Sequence, residues 1–229
     1  MIKDLFSLRE EEIFNTLREL KDCDFVIIGG YAANAYALPR FSVDCDIVIK
    51  DDNELKRIEK ILRKIGYNKE HLPKKAQYSG SFSRHGKNLG NNFAVSIDIL
   101  IGAVKDRMTG VAFAADWIFA NSKPRVLKGK TLIEELKLRI IDVDALLVMK
   151  IISCRPTDIR DVFMMIPAAN DKEWIKSEIA RRYDLKDRIT KAIDKVTSKQ
   201  VKDGLSGVYG GFDIKVFEKH KKALFAMQS

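Results

Sequence analysis

The 229-residue chain has little cysteine, proline or glycine: 3 Cys, 5 Pro and 13 Gly. So few glycines and prolines exclude a collagen-like or low-complexity chain, and disorder is not the default. Cys23, Cys45 and Cys154 are far apart with no C-x-x-C pair. That excludes a zinc knuckle or a disulfide framework and suits a reducing cytoplasm. No uninterrupted apolar run reaches the length of a membrane-spanning helix, so no membrane role is expected. The start, Met1-Ile-Lys-Asp-Leu, has an early acid and no continuous apolar core, so no secretory signal is expected. What is present is 46% apolar residues, enough for a sizeable core, and an unusually high 32% charged residues.

Positive charge is in excess, with 41 Lys+Arg against 32 Asp+Glu, a net of +9. From Asp171 onward 14 bases face 9 acids, which places +5 of that excess in the last part of the chain. Such a balance attracts polyanions: nucleic acid, nucleotide phosphates or acidic membrane. Interleaved acids also fit a plainer reading as solvated helix faces.

Hydrophobic spacing divides the chain in two. Over 1–130 we expect an α/β domain and over 131–229 a helical one. In the first part, residues 4–20 carry a helical stripe, Phe25–Ile28 is a short buried strand stopped by Gly29-Gly30, and Tyr31–Leu38 is a helix ending at Pro39. Val43–Ile49 is a second strand, Glu54–Ile65 a helix closed by Gly66, and Phe93–Ile101 another strand. The Gly-, Ser- and Asn-rich stretch from Gln77 to Asn92 reads as a hairpin or a mobile loop. Pro124–Leu127 is a short strand. In the second part, Asp142 or Asp144 caps a helix over Ala145–Ser153, and Thr157 or Asp158 opens another after Pro156. Helices over 171–182, 185–200 and from 213 complete the chain.

The chemistry concentrates in Gly29-Gly30, Asp44-Cys-Asp46 and Ser96-Ile-Asp98. Alternation along a strand points Asp44 and Asp46 to one side and Cys45 and Ile47 to the other. Asp98, between Ile97 and Ile99, is likewise alone on its face. If the two strands are neighbours, three carboxylates meet on an apolar sheet. Two like charges about 4 Å apart repel by about 4 kcal/mol at an effective dielectric near 20. Such a cluster takes up protons or holds cations, and Mg²⁺ (or Mn²⁺) is the natural oxygen-liganded partner. Divalent ions there could clamp a nucleotidyl displacement, with Asp98 accepting the proton of an acceptor hydroxyl. The glycine pair would let a triphosphate approach the backbone, with helix-end N–H groups beside it. No dinucleotide or Walker-type glycine motif is present.

The segment Ile27-Ile-Gly-Gly-Tyr-Ala-Ala-Asn-Ala-Tyr-Ala-Leu-Pro-Arg-Phe-Ser-Val-Asp-Cys-Asp-Ile47 resembles the nucleotidyltransferase superfamily, whose fold is shared with DNA polymerase β. It is most similar to the minimal branch that includes abortive-infection type IV toxins (AbiEii-like) and lincosamide nucleotidyltransferases. Leu146–Val162, a helical Lys followed by Arg-Pro-Thr-Asp-Ile-Arg-Asp, resembles that branch's downstream element. The resemblance implies a mixed sheet flanked by helices, a helical C-terminal region, an NTP donor and Mg²⁺. It implies Gly29, Gly30 and Ser42 at the nucleotide phosphates, and metal on Asp44, Asp46 and Asp98. Lys150 would reach phosphate and Asp161 would support it. Arg40 would be a phosphate contact or the structural partner of an acid. RNA, including tRNA, is the acceptor suggested by the charge, and a toxin with a cognate antitoxin is a further expectation. The alternative is a catalytically silent module that binds nucleotide or nucleic acid. Neither the stretch 66–92, with His71 and His85, nor the region beyond Asn170 matches the branch, and oligomeric state stays open.

Overall fold

The computed structural model describes residues 5–70, 81–90, 93–209 and 213–228. It divides into two units: one holds the chain up to Ala35, Phe41–Lys105 and Ala112–Ile141, the other Tyr36–Arg40, Asp106–Val111 and the chain from Asp142 onward.

The first unit is built on a mixed seven-stranded sheet. Its strands are β1 (Val26–Ile27), β2 (Asp44–Ile49), β3 (Asn68–Glu70), β4 (Phe82–Asn88), β5 (Ala94–Ile101), β8 (Ser122–Leu127) and β9 (Leu136–Ile141), in the order β3-β4-β5-β2-β1-β9-β8. β6 (Ala103–Lys105) and β7 (Ala112–Ala114) form a separate ribbon. β2 runs parallel to β5 and β1 to β9, while the other pairs are antiparallel. The helices are α1 (Leu5–Glu19), α2 (Gly29–Asn34), α3 (Asp52–Lys64) and α4 (Ala115–Ala120).

The core follows from alternation. Cys45, Ile47 and Ile49 on β2, and Ile97 and Ile99 on β5, are completely buried, as are Ile13, Phe14 and Leu17 of α1 and Ile58 and Leu62 of α3. Both α1 and α3 pack on β5. α3 starts where sequence rules require: the Asp51 carboxylate accepts from the N–H groups of Asn53 and Glu54, and Gly66 turns the chain out at φ +91°.

Some sequence expectations change. The helix read over Tyr31–Leu38 instead spans Gly29–Asn34, because it opens on the glycine pair; Tyr36–Arg40 goes with the second unit. Of the stretch read as hairpin or loop, the hairpin alternative holds: Phe82–Asn88 is a strand paired antiparallel with β5. Residues 71–80 and 91–92, including His71, lie outside the described residues. The sheet continues past residue 130 to β9, whose Leu136-Lys-Leu-Arg-Ile-Ile alternates as a strand should.

The second unit is helical: α5 (Val143–Ser153), α6 (Pro156–Met165), a 3₁₀ turn (Ile166–Ala168), α7 (Lys172–Ala180), α8 (Leu185–Thr197), α9 (Lys199–Tyr209) and α10 (Ile214–Phe225). α5 is buried nearly all round, as its run of Leu, Val and Ile dictates, with α6, α7 and α8 packed on it. Asp142 occupies its N-cap position without a capping side-chain bond. Asp144 instead accepts from the N–H groups of Asn170 and Asp171, tying α5 to the start of α7. Arg155 precedes Pro156 at the start of α6, so neither Thr157 nor Asp158 is the cap. Among the described residues no helix is long and apolar enough to cross a membrane.

Candidate active site

Strand register assembles the first unit's polar row. β2 and β5 are neighbours, and their parallel pairing sets Asp46 opposite Asp98 and Asp44 opposite Ser96. Antiparallel pairing then sets Arg84 of β4 opposite Asp98, and Glu70 of β3 opposite Arg84. Residues opposite one another share a face of the sheet, so Glu70, Arg84, Asp98 and Asp46 form one line across four strands, with Asp44 a step away. The apolar core lies on the alternate positions of β2 and β5.

Gly29 is built into this line. It has φ +67°, and a Cβ placed on it would stand 2.1 Å from Asp46 Oδ2. Any side chain would therefore collide with the carboxylate and strain the backbone. Just before it, the Ile28 N–H donates to the Asp46 carbonyl at 3.0 Å, extending the antiparallel β1–β2 pairing up to Gly29. Gly30 is buried in α2, and Ser42 is half-buried in the link leading into β2.

Arg84 is the residue of this row that the sequence did not single out. Its Nε donates to Asp98 Oδ1 at 2.7 Å and its terminal nitrogen to Oδ2 at 2.6 Å, a bidentate fork. The same nitrogen lies 3.5 Å from Asp44 Oδ2. Its signal was the alternation of β4, where Ser83 and His85 are buried and Arg84 faces the other way, hidden in a glycine- and serine-rich context. Pairing with Asp98 holds the Arg84 guanidinium even more firmly protonated than usual. Burial pushes the Asp44 carboxyl upward, with the Asp98 charge adding to it and Arg84, Arg9 and the Ser96 hydrogen bond opposing.

Among the described residues no three His, Cys, Asp or Glu side chains are grouped closely enough to hold an ion by themselves. Asp98 is engaged by Arg84, so positive charge reaches the acidic row from within the protein. The donor chemistry still suits a hard cation. Asp44 and Asp46 present their carboxylates on one face, and the missing side chain at Gly29 makes room for the Asp46 carboxylate itself. Mg²⁺ is commonly held by one or two carboxylates, with substrate phosphates completing its shell.

The second unit gathers Lys150, Asp161 and Arg40. Arg40 forks onto Asp161 at 2.8 and 2.7 Å, and Lys150 Nζ lies 2.9 Å from Asp161 and 3.0 Å from Asp158. Asp158 also accepts from Ser153 and from Arg155. Arg40 is thus the partner of an acid, one of the two roles expected for it. Asp161 orients Lys150, which is only 7% exposed. Burial alone would raise both carboxyls, but Lys150, with Arg155 at Asp158 and Arg40 at Asp161, brings them below the usual carboxylate range.

No protein-family model matches the sequence. No curated protein matches it either. Solved structures do match. One from Helicobacter pylori, described as a candidate nucleotidyltransferase, is 16% identical with a TM-score of 0.51, covering 99% of this chain and 94% of its own. ANT(2")-Ia in complex with adenylyl-2"-tobramycin is 13% identical with a TM-score of 0.51, covering 76% of this chain and 96% of its own. The solution structure of that antibiotic-resistance factor is 15% identical at a TM-score of 0.50, covering 76% and 91%. At these identities the likeness is one of fold: the chain has a nucleotidyltransferase-type architecture.

Proposed function

We propose that this chain is a nucleotidyltransferase that moves a nucleoside monophosphate from an NTP to an acceptor hydroxyl, with Asp44 and Asp46 as its Mg²⁺ ligands. The observation that carries the reading is the seating of the Asp46 carboxylate against the bare Gly29, with Asp44 on its face and Asp98 in register beside it. The fold neighbours support the same class, and one of them is in complex with adenylyl-2"-tobramycin.

Bound Mg²⁺ would neutralise phosphate charge and orient the attacking and leaving oxygens. The residues supply the rest. Gly29 keeps room for the Asp46 carboxylate. Asp98 takes the acceptor's hydroxyl proton as the oxygen bonds to the α-phosphorus, and the bond to the β-phosphate breaks to release pyrophosphate. RNA is the acceptor favoured by the +9 net charge. Incubation with α-labelled NTPs and total cellular RNA should label the RNA, and chelation of divalent cations should stop it. Label that stays in free nucleotide would refute RNA as acceptor, and label transfer insensitive to chelation would refute the metal.

A second reading is a silent nucleotide-binding module, and the engagement of Asp98 by Arg84 favours it. Nucleotide plus Mg²⁺ that raises the melting temperature with no transfer to any acceptor would select this reading.

A further inference from the structure

Arg84 and a divalent cation require the same thing: negative charge on the face shared by Asp44, Asp46 and Asp98. The fork occupies both oxygens of Asp98 and the same guanidinium leans on Asp44. A cation arriving beside Asp44 and Asp46 would stand next to an arginine, and the two like charges repel across a partly buried site. The guanidinium is within reach of solvent. Its side chain is 27% exposed, against 8% for Asp98, and β4 is the second strand from the edge of the sheet.

A second carboxylate waits on the outer side. Glu70 of the edge strand β3 is opposite Arg84 in the ladder. Its side chain lies over Gly86, where a Cβ would come within 1.9 Å of Glu70 Oε1. Gly86 and Arg84 are two residues apart on one strand, so they share a face and lie about 7 Å apart. The glycine therefore leaves the Glu70 carboxylate lying along β4 on the arginine's own face. Arg84 stands between an inner acid, Asp98, and an outer one, Glu70.

We propose that Arg84 is an exchangeable counter-ion: it neutralises Asp98 and Asp44 while the site is empty and moves to Glu70 when a divalent cation takes its place. This rests on the nucleotidyltransferase reading, and it names the event that frees Asp98 to accept a proton. Arg84 acts through Asp98 and Asp44, as a positioning residue. It makes metal binding weaker than the carboxylates alone would allow, and makes an unloaded site tolerable.

The test is titration with Mn²⁺ alone, without nucleotide, followed by calorimetry and by the signal of free Mn²⁺ in electron paramagnetic resonance. Wild type is compared with Arg84→Gln, Arg84→Lys and Glu70→Gln. Arg84→Gln should bind Mn²⁺ about tenfold more tightly, a change of the size expected for removing one nearby charge. Arg84→Lys, which keeps the charge but loses the fork, should fall between. Glu70→Gln should bind several-fold more weakly, since the displaced arginine loses its outer partner. Melting curves without metal identify any variant that fails to fold, and the lysine variant then carries the comparison. Equal or weaker Mn²⁺ binding by both Arg84 variants would overturn the counter-ion while leaving the nucleotidyltransferase reading intact. Unchanged binding by Glu70→Gln would overturn the outer station. No Mn²⁺ binding by any of the four proteins would overturn both the metal site and this inference.

Discussion

The two units each contain an arginine forked onto an aspartate, and the two forks differ in what surrounds them. In the second unit, Arg40 and Asp161 are 10% and 1% exposed, and Lys150 joins them from the buried helix α5. In the first, Arg84 is 27% exposed and its neighbours Asp44 and Asp98 are both acids. The same bidentate chemistry is thus a fixed brace in one place and a removable counterweight in the other. Burial and the number of competing partners decide which.

Breaking the brace should have the largest effect on stability. Asp161→Asn leaves Arg40 and Lys150 short of a buried carboxylate, at an expected cost of about 3–5 kcal/mol. Urea unfolding followed through Trp174, which lies in the second unit, measures it. The matching change in the first unit, Asp98→Asn, should cost about 1 kcal/mol or less, because Arg84 can turn to water; Trp117 reports that unit. Equal costs would erase the contrast. Gly29→Ala comes between, at about 1–2 kcal/mol for the left-handed backbone. It should also reduce nucleotide transfer as severely as Asp46→Ala, since the new methyl displaces that carboxylate.

Acid sharpens the comparison. Asp158 and Asp161 have folded pKa values below their ordinary ones, so the unfolded chain takes up protons first. Their stabilisation is complete above the ordinary carboxylate value of about 3.9 and is lost as pH falls from there toward the depressed folded values. The Trp174 signal should therefore show stability falling with pH in that window, and Asp158→Asn should flatten the slope. The smallest effect belongs to Arg155→Ala. That side chain is 54% exposed, and its pair with Asp158 should be worth under about 1 kcal/mol in the same denaturation experiment.

The sequence made β2 and β5 plain because each alternates around isolated acids in an apolar run. It made α3 plain through its helical spacing and its closing glycine, though the helix opens earlier, at Asp52 after the Asp51 cap. The acidic face was legible in part: period-2 spacing puts Asp44 and Asp46 on one side of β2, and the β2–β5 register brings Asp98 to that side. The partner of Asp98 was not legible. β4 carries glycine, serine, histidine and lysine, so its residues look like a turn until β3 and β5 pair with it. Register between strands is a long-range choice that spacing along one strand does not reveal. In the second unit, the Lys150 to Asp158 contact crosses the break between α5 and α6, and helical periodicity stops at such a break. Arg40 could be read either way until its fork onto Asp161 settled which acid it serves.

The central claim is that the acidic face beside Gly29 transfers nucleotides. Its most direct test is label transfer from an α-labelled NTP in Mg²⁺, comparing wild type with Asp44→Ala plus Asp46→Ala at matched folding, checked by melting curve. Wild type should give labelled product and pyrophosphate, and the double variant should lose about a thousandfold or more of that activity. Transfer at the wild-type rate by the double variant would contradict it.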